Sequence, residues 1–159
     1  MANISFRDFY STKINHLTLQ EALDLHYRLN PQFTHWSKFD TKTAQYMIRN
    51  HDISHVLFAC DTTYPGEYCV QTWVKYGCKL NIKPTQIFDY LFNRDLIQIV
   101  LPPKLIQYFL THIKDFSILK KLVKNQANQM TKKWQYGSEK NYIIKTIGEI
   151  RKEFNIKIV

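Results

Sequence analysis

Apolar residues recur at three- and four-residue intervals through most of this chain, the spacing that lines one face of an α-helix. In THLTLQEALDLHYRLNP, Leu19, Leu23 and Leu25 with Tyr27 or Leu29 make such a stripe. Thr18 and Glu21 stand ahead of it at the S/T-x-x-E spacing of a capping box, and Pro31 ends the run. Asp40 or Thr41 is placed to cap a second helix through Ala44, Met47 and Ile48 and on to Phe58. Asp61, Thr62 and Thr63 make the next break. Pro65 then suits the first turn of a third helix carrying Tyr68, Val70, Trp73 and Val74, with Gly77 at or near its end.

A fourth helix is predicted after Pro84, with Ile87, Phe88, Leu91 and Phe92 on it. The β-branched stretch LIQIVLPP, residues 96–103, has some strand character, but Pro102 and Pro103 fit better as a boundary between two helices. Helices over 104–114, 117–134 and 141–154 complete the set. Four glycines and five prolines in 159 residues leave no linker, no low-complexity segment and no room for a many-turned β architecture. No internal repeat is present. The expectation is an all-α fold: one domain over 1–159, a bundle of about seven helices.

Composition narrows the class. Hydrophobic residues make up 45% of the chain, which excludes intrinsic disorder, and a chain of this length buries one core. No apolar run approaches the ~20 residues a membrane-spanning helix needs. MANISFRDFYSTK lacks the apolar centre of a secretory signal. The expected location is intracellular, cytoplasmic or peripheral on the inner face of a membrane, and not secreted. Cys60, Cys69 and Cys78 are odd in number and match no zinc-ribbon or CxxC spacing, so they are read as reduced, packed thiols with Cys60 facing the core near the site.

The net charge of +9 is unevenly placed. Residues 1–103 carry ten Lys and Arg against nine Asp and Glu, whereas 104–159 carry twelve against four. Lys120, Lys121, Lys124, Lys132 and Lys133 make the C-terminal third a basic pole. Such a pole is either a solvated helix face or a surface for anionic lipid, where each basic residue contributes ~1 kcal/mol. Nucleic acid is not expected, because no zinc finger, RNP motif or glycine-flanked basic loop occurs.

The chemistry concentrates in HDISHVLFACDTTYPGE, residues 51–67. On a helix, His51 and His55 are i and i+4 and Asp52 and His55 are i and i+3, so all three can face one region. A short turn folding the next helix back antiparallel brings Glu67, in its first turn, to the same end of the hairpin. Two imidazoles and two carboxylates suit a divalent first-row metal, zinc foremost, with iron or manganese as the other candidates. The residue after His51 is Asp rather than the Glu of an HExxH helix. Its shorter reach fits a ligand or a clamp on the metal shell, and the chain is not a zincin protease by pattern. His16, His26, His35 and His112 lack comparable company and are read as surface or satisfied core histidines.

This stretch also resembles the ubiquinone (coenzyme Q) biosynthesis protein 4 family. That family's signature is HDxxH, eleven residues, then Glu, with Gly before the Glu; His51, Asp52, His55, Gly66 and Glu67 occupy those positions, and 56–66 is eleven residues. Trp134-x-x-Gly137 and the closing IRKEFNI resemble the family's late segments, so the likeness covers about 45–156, most specifically at the motif. It departs at Ala59 and Cys60, where family members often carry Gly and an aromatic, and over 1–40.

The resemblance implies an all-helical metalloprotein of ubiquinone biosynthesis. Such a protein binds a polyprenylated aromatic quinone precursor and associates with other quinone-biosynthesis proteins and, peripherally, with an anionic membrane. The family's described activity is oxidative decarboxylation, with hydroxylation at ring carbon 1, of a 4-hydroxybenzoate-type ring, a lyase-like step; the family is also described as a lipid-presenting scaffold. On that expectation His51, Asp52, His55 and Glu67 hold the metal, and the isoprenoid tail lies among Leu91, Phe92, Ile97, Leu101, Leu105 and Phe109, gaining ~0.8 kcal/mol per buried methylene. A homo-oligomer is compatible with it. Two other classes fit the residues: a non-catalytic lipid-binding scaffold with a structural metal, and an HD-type metal-dependent phosphohydrolase in which His26 and Asp89 or Asp95 complete the site.

Overall fold

The computed structural model describes residues 9–80, 107–108 and 110–159. Among them are five α-helices: α1 (Leu19–Leu29), α2 (Lys42–Phe58), α3 (Tyr64–Gly77), α4 (Ile113–Gln129) and α5 (Ile147–Phe154). Two short strands, β1 (Cys78–Lys79) and β2 (Trp134–Gln135), pair in parallel. The fold is thus mostly helical as expected, with five helices described against about seven anticipated. The helix predicted after Pro84, the 96–103 boundary and all six proposed tail-pocket residues (Leu91, Phe92, Ile97, Leu101, Leu105 and Phe109) lie outside the described residues.

The first three helices begin where local chemistry places them. Thr18 Oγ1 accepts from Glu21 N at 3.2 Å, and the Glu21 carboxylate accepts from Thr18 N at 2.8 Å, closing the capping box of α1. Thr41, not Asp40, caps α2, its Oγ1 accepting from Ala44 N at 3.1 Å. Thr63 caps α3 and Pro65 sits in its first turn.

Two predicted helices are redrawn. The helix expected over 117–134 starts earlier and stops at Gln129, because Trp134 is drawn into the β1–β2 pair and buried against Tyr142 and Phe154. The helix expected over 141–154 starts only at Ile147, from a second capping box between Thr146 and Glu149. The residues before it turn, and Thr146 bridges Thr18 of the N-terminal segment: Leu19 N donates to Lys145 O, and Ile147 N to Leu17 O. Backbone groups committed to that pairing are withdrawn from a helix.

The core lies where α2, α3, α4 and α5 meet. Phe58 and Trp73 stack at its centre, 4.4 Å apart and 4° from parallel, with Ile53, Leu57, Val70, Val123, Ala127, Ile147 and Ile150 around them. Arg151 is buried with this core rather than lying on the basic pole. Its guanidinium donates to the carbonyls of Leu57 and Val56, both at 2.9 Å, and to Ser11 O and Asn15 Oδ1. It thereby fixes the C-terminal turn of α2, which carries the site, to the N-terminal segment. Lys120, Lys121 and Lys124 are exposed on α4, while Lys132 and Lys145 converge on Glu153 at 2.6 and 2.7 Å. No helix among the described residues is long and apolar enough to cross a membrane.

Candidate metal centre

The last turns of α2, the reversal after it and the first turn of α3 make an αα-hairpin with polar side chains gathered at the turn. The reversal requires Ala59 in the left-handed region, φ 54°, where its amide N–H bonds His55 O. That is the glycine-favouring position of a helix C-terminus. The alanine there is a local cost, and Ala59→Gly is expected to raise stability by about 0.5–1 kcal/mol, measurable as a higher urea midpoint.

Gly66 is required for a different reason. A Cβ at that position would drive into the backbone carbonyl and side-chain Oδ1 of Asp61, the same Oδ1 that accepts from Thr63 N at 3.0 Å. The glycine lets α3 start close enough for Glu67 to reach α2. Gly66→Ala is expected to cost about 1–3 kcal/mol and to weaken metal binding ~10–100-fold, checked by thermal melts beside metal titrations.

Three donors converge. His51 Nε2 lies 3.2 Å from Glu67 Oε2, His55 Nε2 lies 3.2 Å from Glu67 Oε1, and the two Nε2 atoms are 3.1 Å apart. Donors held about 2.1 Å from one ion at tetrahedral or octahedral angles lie ~3.0–3.4 Å from one another, spacings of the same size as these. His51, His55 and Glu67 can therefore hold a metal ion. The ring of His55 is oriented for it: Nδ1 is 2.9 Å from the Cys60 carbonyl, which can only accept, so Nδ1 carries a proton and Nε2 is the ring atom turned to the cluster. Cys60 and Cys69 are buried and Cys78, on β1, is half-buried; all three are free thiols.

The electrostatics are those of a tightly coupled cluster. Burial opposes a charge on His55, yet the facing Glu67, the Cys60 carbonyl and Asp52 outweigh it and raise its pKa. Burial likewise favours neutral Glu67, and the two imidazoles override it, holding Glu67 well below the usual carboxylate range. A carboxylate kept ionised beside two imidazoles is a donor set ready for a cation.

Asp52 is turned towards α1. Its Oδ2 accepts a short hydrogen bond from the Tyr27 hydroxyl, and its Oδ1 lies 3.9 Å from His26 Nε2. Burial pushes the Asp52 carboxyl up to about 6, against the pull of His51 and Tyr27. Asp52 thus stands beside the three convergent donors and clamped by the helix behind them, and His51, His55 and Glu67 form the cluster.

His26, grouped above with the isolated histidines, is fully buried and stacks on His55 with ring centroids 5.7 Å apart. Burial, reinforced by His55 and His51, pushes its pKa down to about 3. The signal lay in its spacing: Leu19, Ala22, Leu23 and His26 are i, i+3, i+4 and i+7, and all four are buried. In front of the cluster opens a cleft of about 190 Å³, lined by Gln32, Phe33, Thr34, Phe39 and Ile48 together with His51, Asp52, His55 and Glu67.

No protein-family model, curated protein or solved structure matches this chain.

Proposed function

We propose that this chain is a metal-dependent protein of ubiquinone biosynthesis that binds a polyprenylated aromatic quinone precursor and carries out or assists oxidative decarboxylation of its ring. The observation that carries the reading is the convergence of His51, His55 and Glu67 on the floor of a cleft walled by Phe33, Phe39 and Ile48. Three protein donors leave coordination positions free, unlike the closed four-ligand shell of a structural zinc. The resemblance at HDxxH-x11-E supports the choice of substrate class.

The bound ion, zinc or alternatively iron or manganese, would supply a Lewis acid for an oxygen of the head group. The chain supplies the rest. Phe33, Phe39 and Ile48 exclude water from a flat ring, and Asp52, fixed by Tyr27, offers a hydrogen-bond acceptor at the cleft wall. In the overall reaction the ring-to-carboxyl bond breaks and carbon dioxide leaves. A ring-to-oxygen bond forms with one atom of dioxygen, and the other atom becomes water with two electrons from an external reductant. The basic pole, with Lys120, Lys121 and Lys124 exposed, suits peripheral contact with an anionic membrane where such a precursor resides.

The test is mass spectrometry of lipids extracted from gently purified protein, beside turnover of a prenylated 4-hydroxybenzoate-type ring with dioxygen and a reductant. Bound prenyl lipid with turnover supports the enzyme, and bound lipid without turnover converts it to a lipid-presenting scaffold. Neither lipid nor turnover sinks the proposal.

A further inference from the structure

One wall of the metal cleft is held far more lightly than the rest. From Pro31 to Asp40 no residue is buried, yet Gln32, Phe33, Thr34 and Phe39 of this stretch line the cleft together with the helical donors. Its two ends are fixed. Asn30 is fully buried, its side chain donating to His26 O at 2.8 Å and accepting from Thr62 Oγ1 at 3.0 Å, and Thr41 caps α2. Between these ends the backbone-to-backbone hydrogen bonds among the described residues are all local: Phe33 N donates to Asn30 O, Lys38 N to His35 O and Phe39 N to Trp36 O, at 3.0, 2.9 and 3.3 Å.

Side chains of α1 and α2 make the attachment to the rest of the fold. Trp36 and Phe39 pack on Ala44 and Ile48, a small apolar cluster separate from the main core. Arg49 lays its guanidinium over the Trp36 ring, 4.5 Å from the centroid, and is itself held by Glu139, with Nε 3.6 Å from Oε1. Gln45 Nε2 donates to Phe39 O at 2.8 Å, and the His35 ring packs on Tyr27 with centroids 4.4 Å apart. The Trp36 amide faces the Tyr27 hydroxyl, the same group that donates to Asp52. Phe33 lines the cleft and is still 39% exposed, an apolar ring that a ligand in the cleft would cover. A segment fixed at both ends, with few buried apolar contacts between them, opens at a lower free energy than the helices beneath it.

We propose that residues 31–40 form a strap over the metal cleft, pivoting at Asn30 and Thr41 and latched by the contact of Trp36 with Arg49, and that its opening admits and releases the ligand of the cleft. Opening carries Phe33 and Phe39 away together and leaves the donors in place. His51, His55 and Glu67 are all on helices, so the strap governs access to the ion and not the affinity for it. The strap rests on the proposed reading only in that the cleft takes a flat ring.

Amide hydrogen exchange of the full chain, which needs no ligand, is the first test. Trp36→Leu removes the ring under Arg49 while keeping an apolar side chain on Ala44 and Ile48. It is expected to speed exchange across 31–40 by one common factor of about two to five, the worth of one partly exposed cation–π contact, with exchange in α2 from 50 to 58 unchanged. Trp36→Phe, which keeps an aromatic face for Arg49, restores most of the wild-type rate. Zinc withdrawal by pyridine-2,6-dicarboxylate, a flat aromatic chelator that must enter the cleft, is the second. Trp36→Leu is expected to speed it by the same factor at unchanged zinc affinity. Melting curves establish that both variants are folded. Exchange at 31–40 indifferent to Trp36→Leu overturns the strap, and so does a zinc withdrawal rate that stays at the wild-type value. If the wild type holds no zinc, the metal centre fails and hydrogen exchange alone decides the strap.

Discussion

The protein with His51→Ala is expected to fold normally and to retain less than a tenth of the metal carried by the wild type. His51 is the most accessible imidazole of the cluster, so its removal empties little packed space, whereas His55 is buried and also satisfies the Cys60 carbonyl. Loss of even an outer partner of a metal ligand costs ~10–100-fold in affinity, and loss of one of three direct donors costs more. Glu67→Ala should behave alike, and the two changes together should add little, because either alone opens the cluster. The measurement is elemental analysis of wild type and variants prepared without chelators, with about one equivalent expected for the wild type. Wild-type stoichiometry persisting in His51→Ala would sink the metal centre as drawn.

Arg151→Met is expected to be the most damaging substitution outside the site. The guanidinium donates four hydrogen bonds, to Leu57 O, Val56 O, Ser11 O and Asn15 Oδ1, and methionine replaces none of them. Two of those acceptors are in the final turn of α2, where His55 O accepts from Ala59 N and Cys60 N at the reversal and the Cys60 carbonyl in turn accepts from the His55 ring. Burial lowers the Arg151 pKa to about 10, so it is charged throughout the neutral range. Leaving those buried acceptors bare should cost about 3–5 kcal/mol and lower the melting temperature by roughly 10 °C. Lys152→Met, at an exposed neighbour, should change stability by less than ~0.5 kcal/mol. Equal melting temperatures for the two variants would remove Arg151 from its place as the anchor of the hairpin.

The sequence by itself determined the elements whose causes are local. The Thr18–Glu21 box, the Thr41 cap, the break at 61–63 and Pro65 at the start of α3 are all interactions within a few residues, and each helix begins where they place it. The hairpin and the convergence of His51, His55 and Glu67 were legible for the same reason: helical spacing and one short turn suffice to bring them together. The Thr146–Glu149 box is equally local, but the apolar periodicity before it continues back to 141 and hides the start of α5.

Only the tertiary structure decided matters that depend on which surfaces meet. Trp134 leaves its predicted helix for a strand because a partner strand 56 positions earlier in the chain reaches it. Arg151 passes from the basic pole to the core because four distant oxygens surround it, which charge counting cannot register. His26 becomes part of the site because α1 packs against α2, placing an imidazole beside His55 and opposite Asp52. Asp52, read from the sequence as a ligand or a clamp on the metal shell, accepts a hydrogen bond from Tyr27 of that same helix. Spacing along one helix fixes which residues can share a face, but the element packed against that face determines which of them are free to bind a ligand.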